Sequence, residues 1–287
     1  MKIIERSVQE IGSSYLVGLP KPWVRGLGIK KGTKLKMLVS EKGNLLIAPE
    51  FVLENQKKEA VIEYDSHFNR VFFREYFEGN QKIIIKFKNQ IGEEERKKLY
   101  LFLKRFMNAQ TIEEDKSRIV VKCFRIEELS MEECLQRMHY LCLNMLESKS
   151  SDALQMQELR DTMTRFYYLL VMQVRRFLTE GKFTGDNQIS LIKAMDIRMV
   201  AEKIQRIGEI AFAMNGHKNS ELLKDIKEYY STAYYCFAKE DFQKALPLWQ
   251  KGNELQNTCR NQAKNHKETA KLEQIIRYSK EISMLVR

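Results

Sequence analysis

Positive charge is the chemistry that this chain concentrates in one place. Residues 1–50 carry 9 Lys and Arg against 4 Asp and Glu, a net of +5, whereas residues 131–287 carry 24 against 20, only +4 over three times the length. A basic concentration of this kind attracts phosphates and releases the counterions condensed on a polyanion. Read alone, Lys30, Lys31, Lys34 and Lys36 fit a solvated hairpin face equally well. Other chemistries find little purchase. The five cysteines, Cys123, Cys134, Cys142, Cys236 and Cys259, are odd in number and lack Cys-x-x-Cys spacing, against both a disulfide framework and a zinc site, and are expected to be core thiols. The histidines His67, His139, His217 and His266 are scattered, and no Gly-x-Ser-x-Gly, phosphate-loop or dinucleotide pattern is present. No enzyme and no cofactor are expected.

The elements that must position this charge are short. Ile3, Ile4 and the Tyr15–Val17 run have strand composition, and Lys36–Val39 and Leu45–Ala48 flank Glu41-Lys-Gly-Asn44 as a hairpin would. Pro20 and Pro22 can only start a helix, and Gly26 and Gly28 can only end one. Lys21–Leu27 is therefore at most two helical turns, with Trp23 on one side and Arg25 on another. A strand, short helix and hairpin of fifty residues bury too little apolar surface to fold alone, so a second copy is expected to complete the core.

The order of polar strand, Gly12, a strand running into Leu19-Pro20, the short helix, Leu27-Gly-Ile29, Lys31-Gly32 and hairpin resembles the SpoVT-AbrB swapped-hairpin domain, the fold of AbrB and MazE proteins. The resemblance covers roughly residues 2–50. It implies that two chains interleave their hairpins and that basic residues of the first strand and short helix face double-stranded DNA. The matching positions are Arg6, Lys21 and Arg25, with Lys2 close by. Ser13 and Ser14 stand where some relatives carry another base, and Thr33 replaces a common Asp after Gly32.

The middle of the chain reads as a small α+β layer. Phe72–Glu78 is expected to be a short helix, Gln81–Phe87 a strand, Glu93–Asn108 an amphipathic helix and Arg118–Cys123 a second strand, with a polar joint at Asn55–Glu59. From Met131 the apolar period becomes helical. Stripes run from Met131 to Met145, Leu159 to Phe177, Val200 to Met214, Leu222 to Cys236 and Leu272 to Val286, with a weaker one from Phe242 through Trp249. Six helices with short connections point to antiparallel bundles. Lys203, Ile204 and Ile207 align with Lys271, Leu272 and Ile275 at a constant offset of 68, the mark of two three-helix repeats.

This half resembles PhoU, the phosphate-signalling protein built from two such bundles, whose repeats carry an acid-x-x-x-acid signature in a Leu-Glu-Arg-Ile-Gly-Asp-like setting. Gln205-Arg-Ile-Gly-Glu209 is this chain's version. Glu128–Met138 is similar to the entry helix of the archaeal type, in which the PhoU part follows an AbrB-like domain and a connector. Two acids four residues apart share a helix face and hold metal through oxygen ligands. Here each pair has lost one acid: Gln205 precedes Glu209, Glu273 precedes Arg277, and Thr164 stands where relatives often have Asp. The Arg277 guanidinium is expected beside Glu273 in place of a metal, with Glu202, Glu209, Glu273 and Glu281 as solvated surface carboxylates. A divalent metal is left only a degenerate motif.

The reading is a multidomain α+β protein. Residues 1–51 are the swapped-hairpin DNA-binding and dimerisation domain, 60–128 the α+β connector, and 129–287 the PhoU-like six-helix domain. The expected function is a homodimeric, cytoplasmic transcription regulator, which the resemblance alone connects to phosphate uptake. The competing reading is an adaptor that binds a phosphate transporter or sensor, with the head serving chiefly to dimerise. No apolar run approaches the ~20 residues of a membrane span, and no signal-peptide core is seen at the N-terminus.

Overall fold

The computed structural model describes residues 5–39, 45–49, 59–126, 128–147, 153–180, 189–214, 221–262 and 266–287. They divide into two compact units, one up to residue 49 and one from residue 59. The expected strand around Ile3 and Ile4 lies outside them, as does the joint at Asn55–Glu59 apart from Glu59.

The first unit is two hairpins and a short helix. Strands β1 (Val8–Ile11) and β2 (Ser14–Val17) pair antiparallel with Ile11 opposite Ser14. Gly12 opens that two-residue loop at φ 61°, where a side chain would be strained. Helix α1 (Lys21–Gly26) starts after Pro20, whose carbonyl accepts the Val24 N–H at 3.0 Å, and stops as Gly28 turns left-handed at φ 63°. Strands β3 (Leu35–Val39) and β4 (Leu45–Pro49) form the second antiparallel hairpin. Val8, Ile11, Met37 and Val39 are each more than 60 % exposed and Tyr15 is 73 % exposed, so an apolar part of each hairpin is left uncovered.

The second unit joins a sheet to a helical body. Strand β5 (Glu59–Glu63) runs parallel to β6 (Lys82–Lys86), and β8 (Arg118–Cys123) pairs antiparallel with both β6 and β7 (Ala109–Glu114), giving the order β5-β6-β8-β7. Helices α2 (Phe68–Phe77) and α3 (Glu93–Leu103) pack Phe72, Tyr76 and Phe102 against Ile83, Ile85 and Ile119. Helix α3 ends five residues before the expected Asn108. Burying Phe106 needs a tighter turn, in which its N–H bonds the Leu103 carbonyl at 3.0 Å, and Asn108 is taken up by the Tyr76 hydroxyl and the Phe124 carbonyl.

The helical body begins with α4 (Met131–Glu147), opened by a reciprocal cap in which Ser130 and Glu133 bond each other's backbone N–H. It continues through α5 (Ala153–Glu180), α6 (Leu191–Ala213), α7 (Glu221–Lys239), α8 (Phe242–Ala245), α9 (Leu248–Gln262) and α10 (His266–Ser283). The weak stripe from Phe242 through Trp249 is two elements, because Pro247 cannot continue a helix and separates α8 from α9. Tyr168 of α5 reaches the sheet layer, with its ring 5.2 Å from Phe73 and 5.4 Å from Phe106.

The 68-residue offset is visible in the contacts. Lys203 Nζ lies 2.7 Å from a Glu281 carboxylate oxygen, and Lys271 Nζ donates at 2.7 Å to the Ala213 carbonyl. Residues 203 and 271 are 68 apart, and so are 213 and 281, although one bond ends on a carboxylate and the other on a main-chain carbonyl. Helix α6 packs on α4 and α5, and α10 packs on α7 and α9, each completing a set of three.

At the seam of the two sets His139 is fully buried, its ring stacked 3.7 Å from that of Tyr234 and its Nδ1 3.1 Å from the Tyr230 hydroxyl. Its Nε2 has no partner among the described residues, and burial pushes its pKa from 6.5 down to about 3. The folded chain therefore keeps His139 neutral at pH values where the unfolded chain binds a proton. Stability is fully present above pH 6.5 and is lost as pH falls toward 3, by about 2 kcal/mol at pH 5. Urea unfolding at pH 7 and pH 5 should show that loss in the parent and a smaller one in His139→Phe.

Candidate nucleic-acid interface

Helix α1 positions two of the expected contacts. Lys21 and Arg25 are one helical turn apart, on the same face, and both are exposed. The helix carries no acid, and Trp23 and Val24 between them turn inward to half-buried positions. Its length follows from Pro20 and Pro22 at the start and Gly26 and Gly28 at the end, so the two bases are held on a turn that cannot extend. Arg6 sits just before β1, exposed, donating from Nη1 to the Glu5 carbonyl at 3.1 Å. Lys2 lies outside the described residues. Among the described residues no hydrogen bond or ion pair joins Arg6 to Lys21 or Arg25.

The loop into the second hairpin is built by Thr33. Its hydroxyl accepts the Lys30 N–H at 3.0 Å while its own N–H donates to the Lys30 carbonyl at 3.0 Å, and Gly32 takes φ 86° between them. An Asp side chain would accept the same N–H, which explains how Thr33 stands in for it. Residues 5–39 hold seven Lys and Arg against two Glu, and Lys30, Lys31, Lys34 and Lys36 are all exposed. The surface can bind an extended polyanion electrostatically, with Lys21 and Arg25 as a fixed pair.

The second set of candidate positions, in the helical body, is gathered differently from expectation. Gln205 and Glu209 do come together with Thr164: the Gln205 amide nitrogen is 3.3 Å from the Thr164 hydroxyl and 3.4 Å from Glu209 Oε1. Glu209 is a partly exposed carboxylate held by a cation of another helix. Arg160 of α5 grips it with Nε 2.9 and 3.0 Å from its two oxygens and Nη2 at 2.7 Å, and the guanidinium also lies 4.6 Å from the Phe212 ring centroid.

Arg277 is likewise not beside Glu273. Its guanidinium faces Glu281 at 3.9 Å and the Tyr278 ring, while Glu273 is paired with Arg260 of α9 at 2.6 Å. Glu281 is held by Lys203, and Glu202 lies near Arg198 and Arg206. All four carboxylates are thus half-buried members of ion pairs. For Glu209, Glu273 and Glu281 the cause is that which cation meets a carboxylate between helices depends on their relative rotation, which a single-helix alignment does not contain; the partners of Glu202 are four residues away on its own helix.

Arg160 is the residue that the sequence reading missed, and its only local signal is its position four before Thr164 on the same face. Among the described residues no group of three or more His, Cys, Asp or Glu converges as a metal ion would need. All five cysteines are buried free thiols, and burial pushes those of Cys123, Cys134 and Cys142 up to about 12. Opening the Glu209 site to a cation requires removing its resident one. Arg160→Ala with Gln205→Glu should raise divalent-metal affinity at least tenfold over the parent, read by competition with a metallochromic dye, whereas Arg277→Asp should leave it unchanged.

Comparison with known proteins agrees with the first unit. The model of a family described as antidote-toxin recognition MazE, bacterial antitoxin, matches residues 8–50. No curated protein and no solved structure matches the chain.

Proposed function

We propose that this protein is a DNA-binding transcription regulator that works as a dimer through its first unit. The observation that carries the reading is the combination, in residues 8–50, of a MazE-type family match with an exposed basic helix and apolar hairpin faces that this chain leaves uncovered. Domains of that type bind DNA and dimerise, and a second copy would cover Tyr15, Met37 and Val39 while doubling the basic face. Lys2, Arg6, Lys21 and Arg25 are assigned to phosphate contact. The reading needs no catalytic group. Among the described residues no helix is long and apolar enough to cross a membrane.

The helical body is assigned to a PhoU-like regulatory role in phosphate homeostasis. Support comes from the two three-helix sets and the contacts that obey their 68-residue offset. The same observation supports an adaptor that binds a phosphate transporter or sensor, and the two differ in whether the head holds DNA. The test uses the full chain. Sedimentation should show a dimer that dissociates on dilution, and retention on a pool of random duplexes should weaken steeply with salt. A monomer at all concentrations would overturn the dimer, and a dimer that ignores duplex DNA would favour the adaptor.

A further inference from the structure

The helical body also holds a cavity of about 210 Å³ where the start of α6, the end of α7 and the segment after α10 meet. Its lining includes four charged side chains, Lys193, Asp196, Glu240 and Arg287. Asp196 is buried, with a side chain only 7 % exposed, and its partner among the described residues is Arg287, whose Nε is 3.1 Å from Oδ2. Arg287 itself is 62 % exposed. Three residues before Asp196 on the same helix, Lys193 bonds Glu240 at 2.6 Å and sits 4.4 Å from the centroid of the buried Phe237 ring. Ile192, Leu285 and Val286 supply apolar wall.

An uncompensated carboxylate at this depth is costly, so Asp196 needs a cation. The one it has belongs to a mostly hydrated side chain, Arg287. That makes Arg287 a tethered occupant which another cation of the same chemistry can replace. A buried carboxylate beside aliphatic walls in one cavity suits an organic cation with a short apolar body. The volume lies below the ~300–1,000 Å³ of drug-sized pockets, so the occupant is small.

We propose that this cavity is a binding site for a small organic cation, a guanidinium or amine head on a short apolar body. The head pairs with Asp196 in place of Arg287, and the body lies against Ile192, Phe237, Leu285 and Val286. The inference stands apart from the DNA-binding reading, because binding is read on the chain without DNA.

The test is calorimetric titration of the full chain with butylguanidinium. The parent should saturate at millimolar concentration, the range of a weak fragment. Arg287→Ala, which removes the internal competitor, should bind about fivefold more tightly or better, as expected when a competing bound state is abolished. Asp196→Asn should remove saturable binding. Absence of saturable binding to Arg287→Ala, equal affinity for butyrate, or unchanged affinity in a folded Asp196→Asn protein would each overturn the proposal. Should Asp196→Asn fail to fold, the Arg287→Ala comparison decides by itself, since it leaves the buried carboxylate intact.

Discussion

Replacing Lys21 and Arg25 together by alanine should weaken duplex binding on the order of 10²–10³-fold near 0.1 M salt, the largest functional effect expected of two surface substitutions in this chain. Both side chains are exposed on one face of α1, away from the half-buried Trp23 and Val24, so their removal leaves the packing of the helix untouched. In a dimer the double variant deletes four positive charges. If each neutralises a phosphate, the slope of log affinity against log salt becomes shallower by roughly 3 to 4. Arg25→Lys keeps the charge and should keep the slope. Retention of full affinity and an unchanged slope in the double alanine variant would remove α1 from the interface.

A large effect on stability is expected where Gly208 meets Met163. This glycine lies inside α6, within the Gln205–Glu209 segment, and a Cβ placed on it would come 2.1 Å from Met163 Cε and 2.6 Å from Met163 Sδ, with Met145 Sδ 3.7 Å away. Met163 and Met145 are both fully buried, so the thioether must move within the core to admit a side chain at 208. Gly208→Val should therefore destabilise the helical body by about 3 kcal/mol, the upper range for overpacking a filled core. Shortening the obstacle should restore part of that. Met163→Ala alone leaves a cavity and costs about 2–5 kcal/mol, but Gly208→Val with Met163→Ala should cost less than the two summed, a coupling of 1 kcal/mol or more in urea unfolding. Strict additivity would mean that the two side chains do not share the space.

Much of the fold was legible because it is written in short-range periods. Arg118–Cys123 was read with its observed bounds, and the hairpin at Lys36–Val39 and Leu45–Ala48 differs from β3 and β4 by a residue at one end of each. Strands β5 and β7 were not read. Glu59-Ala-Val-Ile-Glu63 has only three apolar residues between two acids, and Ala109–Glu114 is polar along most of its length. Both are edge strands, held by pairing with β6 and β8, so their identity comes from neighbours distant in sequence. Proline and glycine marked the limits of α1 because they act on their own backbone, whereas the break that Pro247 makes between α8 and α9 was not read.

For the candidate sites the division is the same. The sequence by itself determined that Lys21 and Arg25 share a helical face and that Gln205 and Glu209 share another, since each statement needs only the geometry of one helix. Only the tertiary structure decided that Arg160 rather than a solvent cation meets Glu209, that Arg260 rather than Arg277 meets Glu273, and that Asp196 is buried against Arg287. Those partners come from different helices or from the segment after the last one. Their meeting is set by how the helices rotate and slide as their apolar stripes pack, a degree of freedom that the 3.6-residue period leaves open.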